Sequence, residues 1–423
     1  MKVKPNTFLV AAALIFGVAA GIYLGNNGFG ALPFVKQVEA AGGAVKSPTG
    51  EVPDRYVYYP GTEELGPDEM RVIACGTGMP AARRGQAATC FLVELGNGDK
   101  FLFDIGTGSM ANVASLMIPC DYLDQVFLSH LHTDHWGDFD ALWTGGWTAG
   151  RTEALRIWGP SGARPEMGIK AAMDGFMKTF HWDYITRLQK LSAVPGTIEV
   201  HEFDYMGENQ VVYGENGVTI RSWPAIHSGD GSVSYALYWN GYKFVFGGDT
   251  FPNKWFNKYA KDADLAVHEC MMLPQGGVDF YNQAPPVALY VFTQIHTSPQ
   301  AFGKIMSTIK PRHAVAFHFF NEEGTRYGVY EGVREVYDGP LSLATDLMVW
   351  NITRDGVTER MAAVTEEAWS VPGAKEPPAG KPGQVPPQLS KEIEAGMFDV
   401  SDVEKQMVGD FMKKYDLQPR KKK

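Results

Sequence analysis

Four side chains able to bind metal fall within six positions of this chain: His130, His132, Asp134 and His135, in the run His130-Leu131-His132-Thr133-Asp134-His135. In extended chain, residues two apart point to the same side, so His130 and His132 can share one metal ion. Asp134 and His135 open the next turn and can serve a second ion nearby. Neutral imidazole and carboxylate suit zinc, with iron and manganese as alternatives. The run lacks cysteine, which favours a catalytic site with an open position over a closed structural one. A single histidine would be an ordinary core residue, whereas four ligand types so close together are not an outcome of packing.

The elements that must position this cluster are short apolar runs separated by glycines. Asp124–Leu128 reads as a buried strand that ends in the cluster. Upstream, Arg71–Gly78 is a strand with a glycine turn, and Ala88–Gly108 is two strands joined by the hairpin turn Gly96-Asn97-Gly98-Asp99. Met110–Met117 and Ala163–Gln189 have helical spacing. Later strands lie within Val211–His227, Ser232–Thr250, Ala263–Cys270 and His313–Phe320. Ser298–Lys310 reads as a helix with Ser298 as N-cap and Pro299 at its first position. Hairpins mixed with strand–helix–strand units predict an α/β or α+β architecture of layered sheets covered by helices.

The chain has 423 residues, a net charge of −10, and is 45% hydrophobic and 20% charged. That apolar fraction supports a real core and excludes wholesale disorder. The acidic balance argues against a binder held to nucleic acid by charge. Four cysteines in this length cannot make a disulfide framework, although Cys75 and Cys90 sit on strands that can be neighbours. Trp136, Trp143, Trp147, Phe176, Phe180, Trp182 and Tyr184 follow the metal run closely, and Phe280, Tyr281, Tyr290 and Phe292 lie between His268 and His296. Much of this density must be core, but it also predicts a partly apolar pocket suited to a small aryl substrate.

His130-Leu131-His132-Thr133-Asp134-His135 resembles the HxHxDH signature of the metallo-β-lactamase-fold hydrolases. The resemblance continues in order through Gly76-Thr77-Gly78, Asp104-Ile105-Gly106-Thr107-Gly108, Ala225-Ile226-His227-Ser228 and Gly247-Gly248-Asp249-Thr250. His268-Glu269-Cys270, His296-Thr297-Ser298 and Ala316-Phe317-His318-Phe319 are similar to segments of the ribonuclease Z/arylsulfatase-like branch. It implies a four-layer αββα sandwich with two zinc ions at one sheet edge. By position, His130, His132 and His227 would hold the first zinc, and Asp134, His135 and His318 the second. Asp249 would bridge them. Asp134 would orient a metal-held hydroxide, Asp104 would support His130 or His132, and His268 would give a proton to the leaving oxygen. For His296 the same likeness leaves two roles open, a contact near the site or a cap on the following helix. Cys270 is expected to line the pocket, and His181, His201 and His313 to be structural or surface residues.

The ends add location. Lys2 and Lys4 precede an uncharged apolar run from Thr7 to Leu24, as in an export signal or an uncleaved membrane anchor. The chain is therefore expected to divide into that segment (1–25), a linker (26–55), the hydrolase body (56–370), a proline-rich linker (371–388) and a helical tail (389–423). The expected activity is that of an exported hydrolase, periplasmic or anchored facing the periplasm, cleaving a small phosphodiester, sulfate ester or carboxylic ester. The expected partners are this small molecule, a membrane through the N-terminal segment, and a second copy of the chain. The alternative implied by the branch is a transfer-RNA 3′-processing nuclease, disfavoured by the export segment, the net charge and the lack of a basic arm. A non-catalytic binding protein of the same fold would be expected to have lost metal ligands, and all seven positions are filled.

Overall fold

The computed structural model describes residues 56–188, 191–368 and 389–417. The export segment and both linkers lie outside the described residues. Seven strands come first: β1 (Val57–Tyr58), β2 (Met70–Gly76), β3 (Cys90–Leu95), β4 (Lys100–Phe103), β5 (Gln125–Phe127), β6 (Leu155–Pro160) and β7 (Ile198–Phe203). Seven more follow: β8 (Gln210–Glu215), β9 (Val218–Pro224), β10 (Val233–Trp239), β11 (Tyr242–Phe246), β12 (Leu265–Glu269), β13 (His313–Phe317) and β14 (Leu341–Leu343). The last two, β15 (Met348–Ile352) and β16 (Val357–Ala362), return to the first sheet. That sheet has nine strands in the order β1-β16-β15-β2-β3-β4-β5-β6-β7, and the second has seven in the order β14-β13-β12-β11-β10-β9-β8.

Alternation along the strands explains the layers. On β2, Met70, Val72 and Ala74 face the core between the sheets, whereas Ile73 and Cys75 face helices. On β12, Leu265 and Val267 face the same central core, whereas Ala266 faces a third cluster under helices. Both faces of both sheets are thus apolar, as a sheet covered on both sides requires. The helices Phe139–Thr148 and Ile169–Thr179 cover the first sheet, and Lys254–Tyr259, Pro299–Ile309 and Glu323–Arg334 cover the second. This is the expected αββα sandwich. Ser298 caps its helix, its hydroxyl accepting from Ala301 N–H at 3.4 Å. The stretch from Ala163 to Gln189 is broken into Ile169–Thr179 and His181–Arg187, because Phe180 leaves helical geometry between them.

In each sheet one half is parallel and the other antiparallel, apart from β1, which pairs parallel with β16 at the edge of the first. β4 to β7 run parallel in the first, and β11 to β14 in the second. The loops after β4, β5, β11 and β13 leave at the C-terminal ends of these parallel strands, where ligand sites of α/β sheets form. The expected helical tail contains Ser401–Lys414, preceded by a single turn at Lys391–Glu394.

At the opposite, N-terminal end of β13 lies His313, a structural residue as expected. Its Nε2 donates to Ser342 Oγ (2.6 Å), and that hydroxyl donates to Glu359. Burial pushes the His313 imidazole down to about 4, against ~6.5 for an unfolded histidine. Between these values the unfolded chain binds more protons. The contribution is therefore complete above pH ~6.5 and is lost as pH falls towards 4. A shift of this size corresponds to at most about 3 kcal/mol. His313→Gln is expected to flatten the stability profile in this window. Urea midpoints measured at pH 7.5 and pH 4.5 test it, and parallel losses in both proteins would refute it.

Candidate metal and catalytic site

Loop geometry brings the seven expected ligand side chains together. His130, His132 and His227 form one group, and Asp134, His135, Asp249 and His318 another, with the ligand atoms of each group within 4.8 Å of one another. His130 and His132 lie in the loop after β5, and Asp134 and His135 start the short helix Thr133–Trp136. His227 follows β9, Asp249 follows β11, and His318 follows β13.

His132 Nδ1 lies 3.1 Å from His130 Nε2 and 3.2 Å from His227 Nε2. His318 Nε2 lies 3.2 Å from Asp134 Oδ2 and 3.1 Å from Asp249 Oδ2, and His135 Nε2 lies 3.3 Å from Asp249 Oδ1. Asp249 also reaches the first group, 3.7 Å from His227 Nε2.

Asp104 sets which nitrogens face inward. Its Oδ2 accepts from His135 Nδ1 at 2.6 Å and from Ser129 Oγ at 2.7 Å, and Oδ1 accepts from Ser129 N–H at 2.7 Å. Ser129 Oγ lies 3.1 Å from His130 Nδ1 and can accept from it. The support expected for His130 is therefore indirect, and the direct partner is His135, because the left-handed turn at Asp104 (φ 58°) points the carboxylate at the helix start. With Nδ1 donating, a neutral ring presents its Nε2 lone pair to the centre. His135 Nε2 and Asp249 Oδ1 are buried there without a hydrogen-bond partner.

Burial lowers His130 and His132, and takes His227 down to about 4. Burial also opposes a proton on His135, but Asp249, Asp134 and Asp104 outweigh it and hold that imidazole well above its usual range. Asp249 is itself held low despite burial, by His318 and His135. Inward lone pairs and carboxylates packed this closely need positive charge between them. The donor set of imidazole and carboxylate fits a metal cofactor, with zinc well matched to it.

His268 lies away from its expected place, whereas His296 takes the site contact that was one of its two expected roles. On β12, His268 follows the parity of Ala266, so its ring packs edge-on against Phe256 at 4.5 Å and near Phe302, fully buried under the helices. Its Nδ1 pairs with the Glu269 carbonyl at 2.7 Å. The expected proton-donor role does not fit that placement. Glu269, with opposite parity, faces the site: Oε1 accepts from Thr250 N–H (2.7 Å), and Oε2 accepts from His296 Nδ1 (2.9 Å) and Thr297 N–H (3.3 Å). Burial would strip His296 of a proton, but Glu269 reverses this and holds the ring at about 9. Glu269 was legible only through strand parity, and its pairing with His296 spans 27 positions. His268→Gln is expected to cost about 1–3 kcal/mol of stability while leaving the turnover of folded enzyme within about threefold. A loss of turnover without a loss of stability would restore His268 to the site.

A cavity of ≈ 200 Å³ opens beside the ligands, lined on its apolar side by Met79, Met271, Tyr281, Val291 and Phe292. Neither lysine nor arginine is among its lining residues. Tyr281 stacks on Phe320 (5.5 Å, 15°), with the Arg83 guanidinium 4.6 Å from the Phe320 ring centre. Of the aromatic residues singled out in the sequence, Tyr281 and Phe292 line the cavity, whereas Trp143, Trp147 and Phe176 pack under the first sheet's helices. The pocket aromatics come from the segment between β12 and His296, which forms helices Pro274–Tyr281 and Pro285–Tyr290 and a π turn Val291–Ile295. Cys270 is sealed in the third core cluster and does not line the cavity. All four cysteines are free thiols, Cys75 and Cys90 included.

The family model described as "Anti-Pycsar protein Apyc1" matches residues 70–279. Ribonuclease Z of Mycobacterium sp. (strain KMS) is 30% identical over 203 residues, which cover 47% of this chain and 67% of that protein. Ribonuclease Z of Mycolicibacterium gilvum (strain PYR-GCK) is 28% identical over 206 residues, 47% of this chain and 68% of that protein. Among solved structures, the metallo-beta-lactamase fold protein YhfI from Bacillus subtilis superposes with a TM-score of 0.50 at 20% identity, covering 67% of this chain and 100% of that one.

Proposed function

Because this chain belongs to the metallo-β-lactamase-fold hydrolases of the ribonuclease Z branch, we propose that it is a two-zinc phosphodiesterase acting on a small, singly charged diester. As a metal-dependent hydrolase of ester bonds it needs ligands, a proton donor and a pocket. One observation carries the finer reading: five of the seven ligand side chains (His132, Asp134, His227, Asp249 and His318) and His296, held by Glu269, line one small cavity.

His130, His132 and His227 would hold one ion, Asp134, His135 and His318 the other, and Asp249 both. Bound there, the metal pair supplies Lewis acidity and a water of lowered pKa. Asp134 is placed to accept a hydrogen bond from the attacking water. His296, oriented by Glu269, borders the same cavity and can give its proton to the leaving oxygen. The apolar wall of Met79, Met271 and Phe292 excludes water from the far side and accepts one substituent of the diester. The cavity is smaller than the ~300 Å³ that drug-sized ligands need. Its size suits the reacting phosphate and one substituent, with the rest of the substrate outside.

The absence of a lysine or arginine in this lining favours a monoanion over a polyanion. The ribonuclease Z relatives favour a second reading, an RNA substrate. Location is part of the proposal: the basic residues and apolar run at the N-terminus support a location outside the cytoplasm, soluble or anchored.

Zinc-loaded protein offered nitrophenyl phosphodiester, sulfate and carboxylic ester, together with a structured RNA, tests the proposal. Turnover led by the phosphodiester is expected. Preference for RNA would establish the second reading, and inactivity towards all four would refute both.

A further inference from the structure

We infer that Asp346 is a positioning residue that holds the ligand His318 in place through Thr77; this rests on the two-zinc reading above. His318 has φ 70°, left-handed geometry that a non-glycine residue adopts only when its surroundings impose it. The peptide group before it and the one after Phe319 are both held by one segment. His318 N–H donates to Thr77 O at 2.9 Å. The carbonyl of Phe319 accepts from Gln86 Nε2 at 2.8 Å, and that same amide reaches Thr77 Oγ1 at 3.2 Å.

Asp346 fixes this segment at both ends. Its Oδ1 accepts from Thr77 N–H (3.0 Å) and Thr77 Oγ1 (2.8 Å). Its Oδ2 accepts from Ala87 N–H (2.6 Å) and Asn112 Nδ2 (3.0 Å). The four donors are uncharged, two of them backbone groups, so the carboxylate acts as a geometric clamp. An acceptor-only side chain is required: an amide at position 346 would turn an N–H₂ group towards a backbone donor. Asp104 orients His135 by direct contact, whereas Asp346 acts on His318 through the intervening Thr77 carbonyl. The clamped segment also carries Met79 and Pro80 to the cavity wall, so the same carboxylate aligns a ligand with the substrate surface.

Calorimetric zinc titration of metal-free protein, paired with thermal melting, tests this in Asp346→Asn, Thr77→Val, His318→Ala and the His318→Ala/Asp346→Asn double variant. Asp346→Asn is expected to weaken one of two binding steps by about 10–100-fold, leaving the other within about threefold. Thr77→Val, which loses only the hydroxyl, is expected to fall between it and wild type. In the double variant the loss on that step is expected to equal that of His318→Ala alone, the signature of action through one residue. Additive losses, equal weakening of both steps, or unchanged steps would overturn the inference. If Asp346→Asn does not fold, the graded loss in Thr77→Val decides alone. Wild-type protein that takes up a single zinc would overturn the two-zinc reading instead; the inference would then depend on whether that step weakens with Asp346 through His318.

Discussion

Replacing Asp249 by alanine is expected to lower zinc content below two per chain and turnover by at least about 10³-fold, in line with the loss of a main electrostatic element of an active site. Asp249 is the carboxylate that reaches both ligand groups. Its oxygens lie 3.3 Å from His135 Nε2, 3.1 Å from His318 Nε2 and 3.7 Å from His227 Nε2. Without it, buried imidazole lone pairs face one another across the site with less negative charge to hold a cation. Metal analysis and turnover on the same sample check this. The fold should survive, because Asp249 sits at a loop end outside the central core cluster. A variant that keeps two zincs and wild-type rates would remove Asp249 from the bridging role.

His296→Ala is expected to lower kcat by about 10²–10⁴-fold on a diester with a poor leaving group, the range for loss of a positioned general acid. On a nitrophenyl diester the loss should shrink to about tenfold or less, since that leaving oxygen departs without a proton. Glu269→Gln removes the negative charge 2.9 Å from His296 Nδ1 but keeps the side chain's shape. It should show the same leaving-group dependence with a smaller loss, because the ring keeps its place and forfeits its charged partner. The discriminating measurement is the ratio of rates on the two substrates. Equal losses on both would mean that His296 binds substrate or metal and does not donate a proton.

Proposing His296 instead of His268 as the proton donor shows where sequence reasoning and packing part. Both histidines sit in motifs at the ends of apolar segments, and their types are identical. What separates them is the parity of β12. Ala266 and His268 share the helix-facing side, and Glu269 takes the other. Parity could be read from the alternation of Val267 against its neighbours, but which side faces the metal depends on where β13 and the π turn Val291–Ile295 come to rest. The aromatic cluster followed the same logic. Trp143 and Trp147 are near His135 in sequence, yet their helix turns them under the first sheet. The aromatic part of the pocket wall, Tyr281 and Phe292, comes from residues more than 130 positions further on.

The sequence alone determined the ligand chemistry of this protein, because the metal run is local: spacing of one or two residues is set by backbone geometry before any tertiary contact forms. It also determined the layered α/β class, through hairpins mixed with strand–helix–strand units. Tertiary structure alone decided which carboxylate serves which histidine, Asp104 for His135 and Glu269 for His296, and that Asp346 reaches Thr77 across 269 positions. Such pairings depend on strand order and loop closure, which no local pattern encodes, and they orient the ligands on which the proposed chemistry depends.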